Sequence, residues 1–197
     1  MTHLSFPYLS GKLINLREIT VDDAKTIVNL MDYEIAKYLY EVPYPYRIDD
    51  ALNFIKSSYD NFKSHKAITF GIEYKNILES KPLLVGTIGI KEIDYVNKKA
   101  NIGYWIGKQY QGKGIATECV KLVVNYAFDV LKLEQISAYV FPNNNPSIRV
   151  LEKNGFVKTR RVNEYHPLSN RYRHSLIYLI KNKNNSSVKH TYIIMEG

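Results

Sequence analysis

Eight consecutive residues, Gln111-Gly112-Lys113-Gly114-Ile115-Ala116-Thr117-Glu118, constrain the fold most. An apolar, aromatic run, Ile102-Gly103-Tyr104-Trp105-Ile106, precedes them and reads as a strand. Behind them Ala116, Cys119, Val120, Val123, Val124, Ala127, Phe128 and Leu131 recur at spacings of three and four. That period predicts a helix from Gly114 to Leu131 with one apolar stripe. A strand, a glycine-containing loop and a helix N-terminus, in that order, make a place to hold phosphate. The loop N–H groups and the positive end of the helix dipole converge on one point. Glycine lets the backbone approach an anion where a Cβ would block it.

Neither common phosphate motif owns this loop. The P-loop needs four residues between its first glycine and Gly-Lys-Ser/Thr, and the dinucleotide fingerprint needs three spaced glycines; both are absent. Taken alone, Gln-x-x-Gly-x-Ala is short, and a plain strand-to-helix turn explains it too.

The remaining segments alternate in type. Leu13–Ile19 reads as a strand, and Thr20 caps a helix that starts near Val21, with Asp23 completing a short capping box. A second short helix is expected over Ile35–Tyr40, ended by Pro43 and Pro45, and a third from about Asp49 to Lys63. Ala67–Tyr74, Leu83–Asp94, Ala100–Ile106 and Glu134–Phe141 carry strand composition, with turns at Asn76–Pro82 and Asn97–Lys99. Asn145 is expected to cap the next helix, with Pro146 at its first position and Asn154-Gly155 ending it. Phe156–Glu164 and Tyr172–Ile180 read as an antiparallel pair. One domain is expected over residues 1–182, followed by a polar tail at 183–197 in which the Tyr192–Met195 patch could dock.

Composition narrows the classes. Hydrophobic residues are 45% and charged residues 23% of 197, as in a soluble globular domain. No apolar run reaches the length of a membrane span, and the start of the chain is not a secretory signal. The single cysteine, Cys119, excludes an internal disulfide and a cysteine metal cluster, so no metal and a reducing cytoplasm are expected. The net charge of +8 admits a nucleic acid or an anionic cofactor or partner, but the charges and the 17 tyrosines are spread along the chain. Stable nucleic-acid binding is therefore not expected.

Thirty residues beyond Gly114 comes Asn144-Asn145-Pro146-Ser147, then Ile148–Leu151 and Glu152-Lys153-Asn154-Gly155-Phe156. Together with the glycine loop, this resembles the GNAT superfamily of N-acetyltransferases, in particular the branch of ribosomal-protein N-terminal acetyltransferases of the RimJ and RimL kind. The resemblance spans roughly Leu13 to Ile180. The Val42-Pro43-Tyr44-Pro45-Tyr46 segment followed by Asp49-Asp50-Ala51 also resembles that branch. The resemblance implies an α/β (α+β) fold: one mixed, mostly antiparallel sheet, splayed at its centre and flanked by helices. It implies acetyl-CoA as co-substrate. Gln111, Gly112, Lys113, Gly114, Ile115 and Ala116 match the pyrophosphate loop, with Thr117 next in the helix. Trp105 and Ile106 match the splayed strand that holds the pantetheine arm, and Asn144 and Ser147 lie near the thioester. Cys119 reads as packed core.

The transfer needs a deprotonated amine, donors for the developing oxyanion and a proton for the leaving thiolate; it needs no enzyme nucleophile. Positioning of amine and thioester in the gap supplies much of the acceleration. The chain departs from the superfamily pattern at two places. Leu151 stands where many members carry a tyrosine acid, which leaves Ser147 as the candidate. Asn101 stands where a glutamate often occurs, so Glu92, with Glu73 as an alternative, is the candidate base unless water serves. His174 stands where the branch tends to have Asp. The expected acceptor is a protein N-terminal α-amine, with a transient ribosome contact. The alternatives are a polyamine or aminoglycoside, for which Glu41, Asp49 and Asp50 would line a cleft, or a non-catalytic acyl-CoA-binding or nucleic-acid-binding module. A monomer and a homodimer both fit.

Overall fold

A computed structural model describes residues 5–40, 42–75, 82–166 and 170–183. Its strands are β1 (Leu9–Ser10), β2 (Ile14–Glu18), β3 (Ile68–Tyr74), β4 (Leu83–Asp94), β5 (Lys99–Ile106), β6 (Gln135–Val140), β7 (Val157–His166) and β8 (Arg171–Lys181). The helices are α1 (Ala24–Leu30), α2 (Tyr33–Ala36), α3 (Ile48–Lys63), α4 (Ile115–Asp129) and α5 (Asn145–Lys153). The strands form one sheet in the order β1-β2-β3-β4-β5-β6-β8-β7. Every neighbouring pair is antiparallel except β5 and β6, which run parallel. The expected fold class is the one observed.

Side-chain alternation explains the layers, because residues two apart on a strand share a face. Ile88, Ile90, Ile102, Ile136, Ala138, Val140, Leu176 and Tyr178 face the stripe of α4 formed by Ile115, Cys119, Val120, Val123 and Ala127. The opposite face is covered by the N-terminal helices, where Ile19, Ala24, Ile27, Ala51, Ile55 and Leu84 pack together. Covered on both sides, β4 can be an almost unbroken apolar run. A register shift at Ile72/Glu73 makes Val85 an extra residue and changes the phase of β4, so that Val85 joins the layer of Ile88 and Ile90 while Leu84 serves the other.

The β5–β6 ladder holds only Lys99↔Gln135, Ala100↔Ile136 and Asn101↔Ser137. Beyond Asn101 the two strands part: β5 stays with β4 as far as Ile106↔Gly86, and β6 stays with β8. Gly86 is held tight here, since a Cβ would lie 2.1 Å from the Trp105 carbonyl oxygen.

Local differences from the sequence reading have simple causes. The short helix spans Tyr33–Ala36, not Ile35–Tyr40, because the Asp32 carboxylate accepts the Ile35 N–H at 2.9 Å and starts it early. Asn144, one residue before the expected cap, takes that role in α5 by accepting the Ser147 N–H at 3.3 Å. The two-residue β1 was not expected. A 3-10 turn, Val21–Asp23, precedes α1, and the Asp23 carboxylate accepts the Thr20 N–H at 2.8 Å as the capping box requires. Residues 76–81 of the expected turn and the Tyr192–Met195 patch lie outside the described residues.

Candidate active site

The glycine loop sits where β5 leaves the sheet and α4 begins. Gly112 (φ +77°) and Gly114 (φ +81°) are left-handed, a conformation that disfavours any side chain. No atom lies within 4 Å of a Cβ built on Gly112, and only a Leu13 methyl, at 3.8 Å, approaches one on Gly114. The space in front of the loop is therefore open, and the first turn of α4 points its N–H groups there. The Gln111 side chain donates to the Ile106 carbonyl at 2.9 Å and ties the loop to β5. The Lys113 ammonium rests over the rings of Tyr74 (5.7 Å) and Tyr110 (5.4 Å). Ile115 is core, Ala116 is half-buried against it, and the Thr117 carbonyl accepts from Asn154 at 3.2 Å, joining α4 to α5.

Glu118, also in the first turn of α4, turns its carboxylate away from the loop. It accepts the N–H of Leu13 at 3.0 Å and that of Lys12, which anchors the β1–β2 turn. Gly11 makes this contact possible, since a Cβ there would lie 2.3 Å from Glu118 Oε1.

The two faces of the gap carry different chemistry. On the α5 side the Tyr104 hydroxyl lies 3.0 Å from Ser147 Oγ. Burial pushes the Tyr104 phenol up to about 12, against the opposing effect of the Ser147 bond, so it stays protonated through neutral pH. Trp105, next on β5, alternates to the other face and packs beside Met31, Ile35 and Tyr46. On that side the Tyr40 hydroxyl donates to Glu164 at 3.1 Å and makes a short contact with Ser175. Burial is the largest influence raising the Tyr40 phenol, partly offset by Ser175. The Tyr40 ring stacks on Phe141 (4.9 Å), and the Arg173 guanidinium lies 3.8 Å from the centre of the Phe141 ring. Arg173 also donates to the Lys37 carbonyl at 3.1 Å.

Of the expected site residues, the loop, Trp105, Ile106, Asn144 and Ser147 come together around the mouth of the gap. Glu92 does not join them. It lies beside Lys91↔Asn101, at the closed end of the gap, exposed, with φ +52° and its carboxylate 2.5 Å from the Asn101 amide. Glu73 is ion-paired with Arg17 at 2.7 Å. His174 is exposed on β8, Leu151 is core, and Cys119 is buried with its thiol pushed up by burial. Asp50 accepts the Arg47 N–H at 2.8 Å at the start of α3, and Glu41 lies outside the described residues. The sequence reading missed Tyr40, Tyr104, Glu164 and Ser175. Tyr104 lay inside the quoted aromatic run, but its neighbour is 43 residues away.

Among the described residues no group of His, Cys, Asp or Glu could hold a metal ion, and no helix is long and apolar enough to cross a membrane. A parted parallel strand pair with an open glycine loop at its end suits a thioester on a diphosphate-bearing carrier. The acetyltransferase (GNAT) domain model matches residues 14–157, and the chain belongs to that family. It is an acetyl-CoA-dependent N-acetyltransferase. The probable N-acetyltransferase YjcK of Bacillus subtilis (strain 168) is 36% identical over 156 residues, covering 76% of this chain and 83% of YjcK. YdaF of the same strain, a candidate ribosomal N-acetyltransferase, is 29% identical over 148 residues (74% and 78% covered). The spermidine N(1)-acetyltransferase of Escherichia coli (strain K12) is 28% identical over 148 residues (75% and 74% covered). In fold, the chain is similar to the microcin C7 self-immunity acetyltransferase MccE, solved with acetyl-CoA and AMP: TM-score 0.77, 23% identity, 87% of this chain and 94% of that one.

Proposed function

We propose that this enzyme acetylates the N-terminal α-amine of a protein, with coenzyme and acceptor entering the gap from opposite faces. The observation that carries this reading is the pair of hydroxyl clusters on the two faces: Tyr104–Ser147 on the α5 side and Tyr40–Glu164–Ser175 on the α2 side. On the coenzyme side, Gln111 to Thr117 hold the diphosphate through main-chain N–H groups. Trp105 and Ile106 offer β5 backbone to the pantetheine arm, and Asn144 holds the start of α5 so that Ser147 faces the sulfur. Ser147, backed by the protonated Tyr104 phenol, gives the departing thiolate its hydrogen bond or proton. On the acceptor side, Glu164 is the carboxylate placed to take the ammonium proton, and Tyr40 orients it. Glu92 has no part in this scheme.

The charge on the acceptor face favours an α-amine over a polyamine. A polycation calls for several carboxylates, whereas Glu164 pairs across the hairpin with Arg173, and Asp50 is engaged in capping α3. YdaF and the spermidine enzyme, at similar identity, leave both classes of acceptor in play. Coenzyme A release measured with short peptides of free N-terminus, with spermidine and with an aminoglycoside separates them. Turnover with peptides alone is expected and should fall at least tenfold in Glu164→Gln. Turnover with spermidine alone refutes the acceptor, and no turnover with any amine refutes the reading.

A further inference from the structure

Most of the net positive charge lies in one stretch of the chain, although no unbroken run of like charges marks it. Between Val157 and Lys183 stand seven Lys or Arg residues and a single carboxylate, Glu164. This stretch, about a seventh of the chain, holds a net +6 of the total +8. It contains β7 and β8, which pair antiparallel, with β7 at the open edge of the sheet.

Register sorts the hairpin into two faces. Lys158, Arg161, Asn163 and Tyr165 pair with Tyr178, Leu176, His174 and Tyr172, so all of them lie on the α5 side. Glu164 pairs with Arg173 on the other side, where it meets Tyr40. The α5 side of the hairpin therefore carries two cations, Lys158 and Arg161, and no carboxylate of its own, while Arg160 and Arg173 lie on the other face with Glu164. Glu152 of α5, which accepts from the Tyr178 hydroxyl at 3.1 Å, is the acid at one end of the row. Among the described residues, Lys158 and Arg161 have no ion-pair partner. At the other end the Tyr165 and Tyr172 rings meet edge to face at 5.6 Å, 50% and 67% exposed. The Tyr165 hydroxyl donates to the Asn170 side chain, which fixes that ring.

Basic residues on an edge strand guard against strand addition, but that task needs no pair of exposed rings. We propose that this face binds single-stranded nucleic acid, with phosphates along Lys158 and Arg161 and unpaired bases on Tyr165 and Tyr172. A duplex offers phosphates without free base faces, and an acidic polypeptide offers charge without bases. Two exposed cations make the contact weak and sensitive to salt.

Fluorescence anisotropy with a labelled oligouridylate of about 20 nucleotides, at about 50 mM salt and upward, tests this. The wild type is expected to bind it better than a duplex or polyglutamate of equal charge. Lys158→Gln/Arg161→Gln should weaken binding and cut the slope of log K against log salt by about 1.4, or roughly 0.7 per lost phosphate contact. Tyr165→Ala/Tyr172→Ala should weaken binding about tenfold or more with the slope unchanged. Both variants should melt like the wild type and acetylate a free peptide at the same rate. No binding at low salt, or unchanged affinity in both variants, overturns the proposal. Equal binding of polyglutamate assigns the face to an acidic protein, and equal binding of the duplex removes the stacking; either result overturns it as well.

Discussion

Replacing Gly112 with alanine separates backbone strain from ligand binding. At φ +77° a Cβ costs about 1–2 kcal/mol, with little relief from the stiffer unfolded chain. No neighbour lies within 4 Å of the new methyl, so steric clash adds nothing in the free protein. The variant should be destabilised by about 1–2 kcal/mol, which in a chain of this size lowers Tm by roughly 2–8 °C. Coenzyme affinity should fall further, because the methyl occupies the space where a phosphate meets the loop amides. Losing one hydrogen bond to a charged group costs about 1.5–3 kcal/mol, or roughly tenfold to a hundredfold in Kd. Gly155→Ala is the matched control. That glycine has φ +81° and ends α5, where the nearest atom to a Cβ built on it is a methyl of Ile180 on β8, at 3.8 Å. Calorimetric titration with acetyl-CoA, run beside thermal melts, should find similar losses of stability in the two variants and a loss of affinity in Gly112→Ala alone. Equal affinities in both would refute the assignment of the loop to the diphosphate.

Other consequences follow from the buried hydrogen bonds. Ser147→Ala and Tyr104→Phe should each lower kcat, by about tenfold to a hundredfold, with acetyl-CoA affinity within about twofold; the double variant should be no worse than the poorer single one, and additive losses would show that the two hydroxyls act separately. With the Tyr104 phenol at about 12, the kcat profile should show no falling limb from it between about pH 7 and 10. Asp23 governs an acid limb of stability. Burial pushes its carboxyl up, but the Arg17 and Thr20 hydrogen bonds outweigh burial and hold it below 3.8. Its contribution is complete above pH 3.8 and fades as pH falls through the lower folded value. Asp23→Asn should therefore cost about 1.5–3 kcal/mol near neutrality, by denaturant unfolding, and the gap should close as pH drops below that range. A gap that stays constant to the lowest pH would show that the Arg17 pair contributes nothing through charge.

How much of the molecule was legible in the sequence depends on the distance over which each contact acts. The glycine loop, the α4 stripe and the Thr20–Asp23 box are settled within a few residues, so period and residue type were enough to read them. The acceptor cluster is different: Tyr40 meets Glu164 and Ser175 across 124 and 135 residues. Composition gives no hint of that meeting, and Glu92 was a natural choice of base while the register was unknown. The register itself turns on one residue. Between Lys158↔Tyr178 and Arg160↔Ile177 the β7 strand carries an extra residue, Thr159, whose hydroxyl donates to the Ile177 carbonyl at 3.0 Å. With strict alternation from Lys158, Glu164 would point to the α5 side and Tyr165 toward Tyr40. The bulge reverses that, sending the hairpin's carboxylate to the acceptor face together with Arg160, and Arg161 and Tyr165 to the other. One inserted residue therefore decides both the chemistry of the gap and the charge of the outer surface, and a sequence read segment by segment carries no sign of it.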